Sequence, residues 1–501
     1  MEINDSTAED DDINLSCYVL DINIRGIEDK IWVRAEYIRM FKFAEKFYAE
    51  NKSNLALSPC LVITGQPGIG KSLWRWYALR RCCAQKKPVI FYSNDTCWLF
   101  VEEGVFKQPT SFQPQCYNTV IWTLVDSVDA PSGPPIGLIT HGSQHFVIYT
   151  TSPTPSRWKK LHQSMNREVR VMNPWTRAEI HRAAPICAPG VSLTAIDDIF
   201  YELGPIPRLC FGQESLLIQH RTKLKVALRN LTLSYLENLS TAGEALELDG
   251  VSDTIYMLRR RSGVGVNSVE VDVMAISPFV ASKVALRLRA LQRHELVCLF
   301  KRYNAIPSTR RMSGDVFKAY CHVIFSTRIE FDFVSMVRIG GRPKARERKC
   351  TQWFSSHTEF RGSAQSNAPE LEVLRASALA NGASLGMYPS RVVDYDSDEV
   401  AGGLHIEADV YYIVPLKTNQ VGIDSFILHK TKLYLFQMTV ADSHVIRDGL
   451  GPFLNSLRGL PPKSDWRFIF VKPPRTILAC LVPPSAELWD LGLYSAEVEV
   501  K

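Results

Sequence analysis

One segment near the start of the chain has the residue types and spacing of a phosphate-binding loop (P-loop). It fits the pattern Gly-x-x-x-x-Gly-Lys-Ser and consists of Gly65, Gln66, Pro67, Gly68, Ile69, Gly70, Lys71 and Ser72. Glycines let the backbone turn tightly enough for its N–H groups to point at phosphate oxygens. In such a loop the lysine reaches the β- and γ-phosphates, and the serine hydroxyl coordinates Mg²⁺. The segment therefore predicts a site for a nucleoside triphosphate with Mg²⁺.

Asp126 is the second residue with a clear chemical role. It ends an apolar run, residues 120–125, that predicts a strand. A carboxylate at that strand end would hold the Mg²⁺ that bridges the phosphates, although an acid in this place can also cap a turn. Efficient ATPases often follow the metal-binding Asp with an acid that polarises water, and Ser127 stands there instead. Asp129 is the candidate to replace that acid, and we expect slow hydrolysis.

Two further segments carry groups that can sense phosphate. Thr151 and Ser152 follow another apolar run, and a hydroxyl there can donate a hydrogen bond to the γ-phosphate, although an ordinary helix cap explains both residues equally well. Residues 204–208 read Gly-Pro-Ile-Pro-Arg, a stiff turn that leads into a helical stretch. Arg208 brings a fixed positive charge to the start of that stretch, so we interpret it as a second phosphate sensor.

The elements that must position these residues follow an α/β pattern. A stretch without Pro or Gly, residues 73–84, predicts a helix directly after the P-loop. Fully apolar strands bounded by helices are typical of a parallel sheet that is covered on both faces, and ligands then bind at the carboxyl ends of the strands. The predicted strands are residues 60–64, 88–92, 120–126 and 146–152.

Size and composition indicate an ordinary globular protein of several domains. The chain has 501 residues, of which 46% are hydrophobic and 22% are charged. The twelve cysteines include no Cys-x-x-Cys pair and no zinc spacing, which is typical of a reducing compartment. The sequence begins without a signal-peptide pattern and contains no apolar run long enough to span a bilayer. We therefore expect cytoplasm or nucleus, and no membrane partner.

The net charge of +6 is too small to imply nucleic-acid binding by itself, but it is unevenly distributed. Residues 1–12 carry six acids and no base, which predicts a disordered acidic tail. Residues 338–349 carry six bases against the single acid Glu347. That stretch can contact phosphate or direct nuclear import, or it can be a solvated basic loop.

The predicted domain organisation follows from these patterns. After the tail, residues 1–15, we expect an N-terminal strand and helix in residues 16–54 and the P-loop NTPase core in residues 55–212. Leucine-rich periodicity predicts a helical region in residues 213–310. The strand-rich C-terminal domain, residues 311–501, contains a loop or insertion at residues 341–405 that is rich in Gly, Ser, Pro and acids, with one helical piece near residues 369–380.

Together, these nucleotide-binding motifs resemble the signal-transduction branch of the AAA+-like ATPases and, more narrowly, the Crinkler and retrotransposon-hot-spot (RHS) proteins. The resemblance covers about residues 55–235 well and the remainder loosely. It implies ATP as the nucleotide, with Lys71, Ser72 and Asp126 as phosphate and Mg²⁺ residues and Arg208 as the conformational sensor. It also implies a C-terminal effector module, often of the restriction-endonuclease fold.

The C-terminal sequence has a variant of the nuclease pattern that this resemblance implies. The restriction-endonuclease fold places an Asp on one strand and Glu-x-Lys on the next, so that two carboxylates hold Mg²⁺ and the lysine assists water. Here Asp424 begins one predicted strand, and the next carries Gln437-x-Thr439. A glutamine carbonyl can coordinate Mg²⁺ without charge, but threonine cannot replace the charge of the lysine.

Other positions bear on whether this C-terminal site is active. Residues 314–318 resemble the family's Gly-x-x-Phe-Glu helix, with Lys318 in place of the Glu, which removes a metal ligand. His444 and Lys463 lie nearby in sequence and can compensate. Asp424, Gln437 and His444 are equally well explained as ordinary surface polar residues. We expect a nuclease-like fold with weak or lost activity.

The sequence thus predicts an α/β, parallel-sheet P-loop NTPase of the AAA+ or signal-transduction type, a helical region, and an α+β restriction-endonuclease-like C-terminal domain. The expected function is an intracellular ATP-binding switch, a slow ATPase, that controls a nuclease-like effector module acting on or binding DNA or RNA. One alternative is an ATP-regulated, Mg²⁺-dependent DNase effector. Another is an ATP-gated adaptor that binds a protein partner. Assembly into a homo-oligomer is compatible with the resemblance.

Overall fold

The structure is a computed structural model, and it describes residues 18–21, 30–52, 57–111, 120–140, 142–241, 246–248, 252–261, 270–339, 351–355, 382–395, 404–414, 422–447, 449–476, 478–482 and 491–501. These residues belong to two compact units, one within residues 3–280 and the other within residues 281–501. The division falls inside residues 213–310, the region that the sequence predicts to be helical, and this region also contains two strands, Tyr256–Arg260 and Val271–Ala275. The predicted acidic tail, the basic stretch and the helical piece near residues 369–380 lie outside the described residues, apart from Arg338 and Ile339 in a short strand.

The N-terminal unit alternates strands and helices. Its strands are β1 (Tyr18–Asp21), β2 (Lys30–Val33), β3 (Pro59–Thr64), β4 (Val89–Ser93), β5 (Thr96–Val101), β6 (Gly104–Gln108), β7 (Ile121–Asp126), β8 (His145–Thr150), β9 (Asn166–Val171), β10 (Tyr256–Arg260) and β11 (Val271–Ala275). Its helices are α1 (Ala35–Asn51), α2 (Lys71–Ala84), α3 (Ile136–Ile139), α4 (Arg177–Cys187), α5 (Leu193–Leu203), α6 (Pro207–Cys210), α7 (Glu214–Arg229), α8 (Leu233–Asn238) and α9 (Ser252–Ile255), and α10 (Pro278–Arg289) crosses the unit boundary.

A seven-stranded sheet organises this unit, in the order β6-β5-β4-β7-β8-β3-β9. The five strands β4, β7, β8, β3 and β9 are parallel, and β5 and β6 extend one edge as an antiparallel hairpin. Every residue of β3, β7 and β8 is buried, as expected for central strands that are covered on both faces. The predicted parallel sheet is confirmed, and it brings the ends of β3, β7 and β8 to one edge.

Helix α1 belongs to the same core as the P-loop helix α2. Phe41 packs against Tyr77 of α2 and Trp122 of β7, with ring centroids 6.0 and 5.4 Å apart. Tyr37 and Met40 are also buried in this cluster. The segment that we expected as a separate N-terminal strand and helix therefore contributes its apolar face to the unit that carries the P-loop.

The C-terminal unit is built on a larger mixed sheet. Its helices are α11 (Arg293–Ala305), α12 (Arg310–Phe325) and α13 (Leu450–Ser456). Its strands are β12 (Ile329–Ser335), β13 (Val337–Ile339), β14 (Thr351–Phe354), β15 (Ala383–Met387), β16 (Arg391–Asp394), β17 (Leu404–His405), β18 (Val410–Ile413), β19 (Ser425–His429), β20 (Lys432–Met438), β21 (Ser443–Val445), β22 (Leu457–Arg458), β23 (Trp466–Lys472), β24 (Ala479–Val482) and β25 (Leu493–Glu497).

Eight of these strands form one sheet in the order β15-β12-β25-β23-β20-β19-β18-β16. Strands β18, β19 and β20 form an antiparallel meander, and β23 then pairs in parallel with β20. The segment predicted to be a loop or insertion contributes strands β14 to β17, because strand pairing satisfies the hydrogen bonds of its backbone despite its loop-like composition. Strands β15 and β16 are the two edges of the eight-stranded sheet, whereas β14 lies between β13 and β24 in a separate four-stranded sheet. Within the described ranges, no helix is long and apolar enough to cross a membrane.

Candidate functional site

The P-loop has the strained backbone that its glycines allow. Between β3 and α2, Gly65, Gly68 and Gly70 have φ values of +142°, +83° and +97°. A Cβ atom at residue 65 would lie 2.7 Å from the carbonyl oxygen of Met172, and one at residue 70 would overlap the hydroxyl of Tyr37. Other residue types rarely adopt these conformations, so both positions require glycine for conformation and for space.

Hydrogen bonds from neighbouring elements fix the loop. Tyr37 of α1 donates its hydroxyl hydrogen to the carbonyl oxygen of Gly70 at 2.6 Å. Trp175 donates from Nε1 to the carbonyl oxygen of Ile69 at 2.9 Å, and the Gln66 side-chain amide donates to the carbonyl oxygen of Asp253. Sequence reasoning missed Tyr37 and Trp175, because neither lies in a recognisable motif and only the folded chain brings them to the loop.

Lys71 is held inside the loop at the start of α2. Its ammonium group donates to the carbonyl oxygens of Gly65 and Gln66, both at 2.8 Å, and the residue is 8% exposed. Burial lowers the pKa of Lys71 from its usual 10.5 to about 7, opposed by the charge of Asp126. Lys71 makes no ion pair with an acid in the described part of the chain, so its charge is compensated only by carbonyl dipoles and more distant groups.

Asp126 ends β7, two strands from β3 in the sheet. One of its carboxylate oxygens accepts from the backbone N–H of Val128 at 2.8 Å, and the other accepts from the Thr150 hydroxyl at 2.5 Å. The residue is 2% exposed and lies within electrostatic range of Lys71. With the half-buried Ser72 at the start of α2, it offers hydroxyl and carboxylate oxygens. Hard oxygen donors of this kind fit Mg²⁺.

Asp129 has a different environment from the one that its proposed role requires. Its carboxylate accepts from Arg75 at 2.8 Å and from the hydroxyl of Ser93 at 3.3 Å. Both Arg75 and Asp129 are largely buried. Because both carboxylate oxygens are bonded to α2 and to the end of β4, this geometry favours a structural ion pair over the water-polarising role that the sequence suggested.

Two arginines bring further positive charge to the loop. The N–H of Arg208 faces the carbonyl oxygen of Gly68 at 3.5 Å, and a Cβ atom on Gly68 would lie 3.1 Å from the Arg208 Cβ. Arg157 donates to the hydroxyl oxygens of Thr151 and Ser152 at 3.3 and 2.9 Å. Both arginines are close enough to oppose the protonation of Lys71. Arg157 is absent from the predicted site, since a lone arginine in a proline-rich turn gives no signal.

The second candidate site lies at the start of β19 in the C-terminal unit. The predicted juxtaposition is present: Gln437 of β20 donates from its side-chain amide to Asp424 Oδ2 at 2.9 Å. The backbone N–H of Met438 donates to the same oxygen at 2.7 Å. Asp424 and Gln437 are 6% and 4% exposed, and the Gln437 side-chain oxygen is buried without a hydrogen-bond partner.

Lys318 completes this site in a way that the sequence did not indicate. Its ammonium lies 2.9 Å from Asp424 Oδ1. Burial opposes the charge of Lys318, but the nearby carboxylates of Asp424 and Asp315 together outweigh this effect and raise the lysine pKa. Both oxygens of Asp424 are thus bonded to donors of the chain itself. Among the described residues, no group of three His, Cys, Asp or Glu side chains is arranged to hold a metal ion.

The two residues expected to compensate for the missing nuclease lysine differ in position. His444 is close enough to Asp424 and Lys318 to interact electrostatically with both, and burial lowers its pKa. Lys463 precedes Trp466, which pairs with Leu433 at the opposite end of β20 from Gln437. The structure therefore brings His444 to the Asp424 site and leaves Lys463 at the far end of the strand pair.

The chain has partial similarity to curated proteins. Crinkler effector proteins 15 and 16 of Phytophthora infestans are each 28% identical to it over 188 residues. The match covers 36% of this chain and 28% of each relative, so the chain spans less than a third of their length. The Crinkler part of the resemblance is thus supported over about a third of the chain. No protein-family model matches.

Solved structures also match in part. AMPPCP-bound DnaA from Aquifex aeolicus has 12% sequence identity and a TM-score of 0.26, over 59% of this chain and 93% of that chain. The ORC2 protein of Aeropyrum pernix, in ADPNP and ADP complexes, has 12% identity and a TM-score of 0.22, over 56% of this chain and 75% of that chain.

Proposed function

We propose that this chain is an ATP-binding switch, a slow ATPase, whose nucleotide state controls a C-terminal nuclease-like module of the kind found in Crinkler and RHS proteins. The observation that carries the proposal is the convergence of Lys71, Arg157 and Arg208 on one glycine-rich loop, where no carboxylate of the described residues is paired to Lys71. Such a cradle of positive charge and backbone N–H groups suits a polyphosphate.

In this proposal the phosphates of ATP replace carbonyl oxygens as partners of Lys71. The lysine now bonds to Gly65 and Gln66, and a β- or γ-phosphate oxygen offers it a full negative charge instead. Ser72 and Asp126 would hold Mg²⁺, which neutralises charge on the phosphates during transfer. Arg157 bridges Thr151 and Ser152, so the hydroxyl pair and the arginine would respond together to the γ-phosphate.

Slow hydrolysis follows from the residues available to orient water. Ser127 occupies the position after Asp126, and Asp129 is bonded to Arg75 and Ser93. With no free carboxylate in these positions, an attacking water lacks a well-placed base. A slow reaction gives the ATP-bound state a long lifetime, which is the property that a switch needs.

For the C-terminal module we propose a restriction-endonuclease-like fold without efficient cleavage. The helix α12, the meander β18–β20 and the parallel strand β23 support the fold, and Lys318 in contact with Asp424 supports the loss of activity. A divalent cation at Asp424 would have to displace this ammonium, with Gln437 as an uncharged second ligand. The alternatives are an ATP-regulated DNase that binds Mg²⁺ at Asp424 and an adaptor that binds a protein partner.

A cleavage assay separates these possibilities. Purified protein is incubated with plasmid DNA and Mg²⁺, with and without ATP, beside the Lys71→Ala and Asp424→Ala variants. We expect no cleavage by intact protein that binds ATP. Cleavage that disappears in both variants would instead establish the ATP-coupled nuclease and contradict the switch with an inactive module.

A further inference from the structure

In the described part of the C-terminal unit, a group of exposed basic side chains lies at one end of a helical hairpin. Helices α11 and α12 are joined by the short turn Pro307–Thr309. The ring of Phe300 packs against that of Phe317 with centroids 5.9 Å apart, and the Thr309 hydroxyl donates to the carbonyl oxygen of Tyr303 at 3.2 Å. The end of α11 and the start of α12 are therefore held side by side.

Four exposed basic side chains lie at this end: Lys301, Arg302, Arg310 and Arg311. None of the four side chains makes a hydrogen bond or ion pair with the residues that the structure describes. From residue 301 to residue 318 the chain carries five bases and one acid, Asp315. We call these four residues and Lys318 the hairpin-end surface.

The position of the arginines in α12 runs against the preference of a helix. The amino-terminal end of a helix carries a partial positive charge, which favours acids in the first turn and disfavours bases by about 0.3–1 kcal/mol each. The first turn of α12 has no acid and instead begins with Arg310 and Arg311. The stability of the helix therefore does not account for two arginines here. An anionic partner would interact favourably with both arginine side chains and with the partial positive charge of the helix end.

The hairpin-end surface is continuous with the Asp424 site. Arg311, Asp315 and Lys318 occupy positions i, i+4 and i+7 of α12 and thus share one helix face. Asp315 interacts electrostatically with both bases, and Lys318 contacts Asp424 at 2.9 Å. From Arg311 to Lys318 the face extends about 10 Å, or roughly three base-pair steps of duplex DNA.

We propose that the hairpin-end surface binds the phosphate backbone of nucleic acid and presents it to the Asp424 site without cleaving it. Nucleic acid combines a dense, regular row of negative charges with oxygens that arginine contacts in pairs, which matches a rigid helix end with two adjacent arginines. Such contacts are independent of base sequence. The inference deepens the proposed function by naming the partner of the C-terminal module. It rests on the proposed function only where it assumes that ATP controls this module.

The test measures how salt weakens binding to the full chain. Fluorescence anisotropy with a fluorescein-labelled duplex DNA of about 30 base pairs gives the dissociation constant between about 50 and 200 mM KCl. Replacing Arg310→Ala and Arg311→Ala together should weaken binding at least tenfold. It should also reduce the slope of log affinity against log salt by about 2, because each phosphate contact contributes roughly 0.9.

The matched control removes the same charge elsewhere. Lys223→Ala with Lys225→Ala alters two exposed bases of α7 in the N-terminal unit and should change affinity less than twofold. Thermal melting of both double variants checks that they fold.

Three results would overturn the inference. They are an intact protein whose affinity does not depend on salt, a control variant that weakens binding as much as the arginine pair, and polyglutamate that competes as well as duplex DNA. The last would indicate an acidic protein partner.

A further arm separates this inference from the proposed switch. Lys71→Ala without nucleotide should bind the duplex as the intact protein does. If Lys71→Ala still binds ATP, the proposed nucleotide site is wrong. The nucleic-acid surface is tested separately, by the variant that replaces Arg310 and Arg311.

Discussion

The P-loop site and the Asp424 site both place a lysine within electrostatic range of a buried carboxylate, but they arrange the two charges differently. Lys71 donates to backbone carbonyls and makes no ion pair within the described residues, whereas Lys318 contacts Asp424 directly at 2.9 Å. Accordingly, the pKa of Lys71 is lowered and that of Lys318 is raised. The first lysine is compensated by weak partners that a phosphate can replace. The second is paired directly with a carboxylate of the chain itself.

The rigidity of the first site gives the largest expected effect. Gly70→Ala combines a left-handed backbone with an overlap of the new methyl group with the Tyr37 hydroxyl, so we expect a loss of about 3 kcal/mol or more in the free energy of unfolding. Gly190→Ala is the control, because Gly190 has φ of +91° and open space around it. In urea denaturation, Gly190→Ala should lower the free energy of unfolding by at least about 2 kcal/mol less than Gly70→Ala does. Equal losses would argue that the P-loop is not preformed.

Removing the lysine should reduce stability at the Asp424 site and change it little at the P-loop. Lys318→Met leaves the Asp424 carboxylate buried without its cation and should cost about 1–3 kcal/mol, less than a fully buried pair because Lys318 is 24% exposed. Mg²⁺ should partly restore this variant in urea denaturation and leave the intact protein unchanged. Lys71→Met removes a charge that burial disfavours, so we expect a change within about 1 kcal/mol. A similar loss in both variants would remove the distinction between the sites.

The two arginines beside the P-loop should distinguish ATP from ADP. Arg208→Ala and Arg157→Ala should each reduce the preference for ATP over ADP by roughly tenfold, as expected for the loss of a charge-assisted hydrogen bond to the γ-phosphate. Competition titrations with a fluorescent nucleotide measure the ratio. Arg229→Ala, an exposed residue in the last turn of α7, is the charge-matched control. If the ratio of ATP to ADP affinity is unchanged in both Arg208→Ala and Arg157→Ala, neither arginine senses the γ-phosphate.

The lowered pKa of Lys71 predicts a smaller effect, proton uptake on binding. At pH 8, about one unit above the pKa of about 7, most of the ligand-free lysine is neutral. Phosphate favours the charged form, so binding should take up close to one proton at pH 8 and almost none near pH 6. Calorimetry in buffers with different ionisation enthalpies measures this uptake. Persistence of the uptake in Lys71→Met would assign it to another group.

The same shift fixes the sign of the pH dependence of stability. Between pH 7 and 10.5 the unfolded lysine binds more protons than the folded one, so the Lys71 contribution to the stability of the ligand-free protein increases with pH over that range.

The sequence predicts most of the P-loop site because the geometry of this site is local. Three glycines and a lysine within eight residues determine the loop, and strand ends place Asp126 without knowledge of long-range contacts. Arg157 and Tyr37 were missed because their roles depend on tertiary packing. For Asp129, no pattern in the sequence indicates the partner Arg75, which lies 54 positions away.

The C-terminal site illustrates the opposite case. The pairing of Asp424 with Gln437 followed from a hairpin of predictable length, and the two side chains do meet. Lys318 was interpreted only as the loss of a ligand, because a helix far away in sequence must fold over the sheet before its ammonium can reach Asp424. The position of Asp424 beside Gln437 was thus predictable from the sequence. That Lys318 neutralises the Asp424 carboxylate could be seen only in the tertiary structure.

The most direct test of the central claim is a calorimetric titration of ATP with Mg²⁺ into the full chain, repeated with Lys71→Ala and Asp424→Ala. We predict one binding event. In Lys71→Ala it should be weakened by about 30-fold or more, consistent with the loss of a buried charge contact worth at least 2 kcal/mol. In Asp424→Ala it should be unchanged. Undiminished binding by Lys71→Ala, or its loss in Asp424→Ala, would contradict the assignment of the P-loop as the nucleotide site.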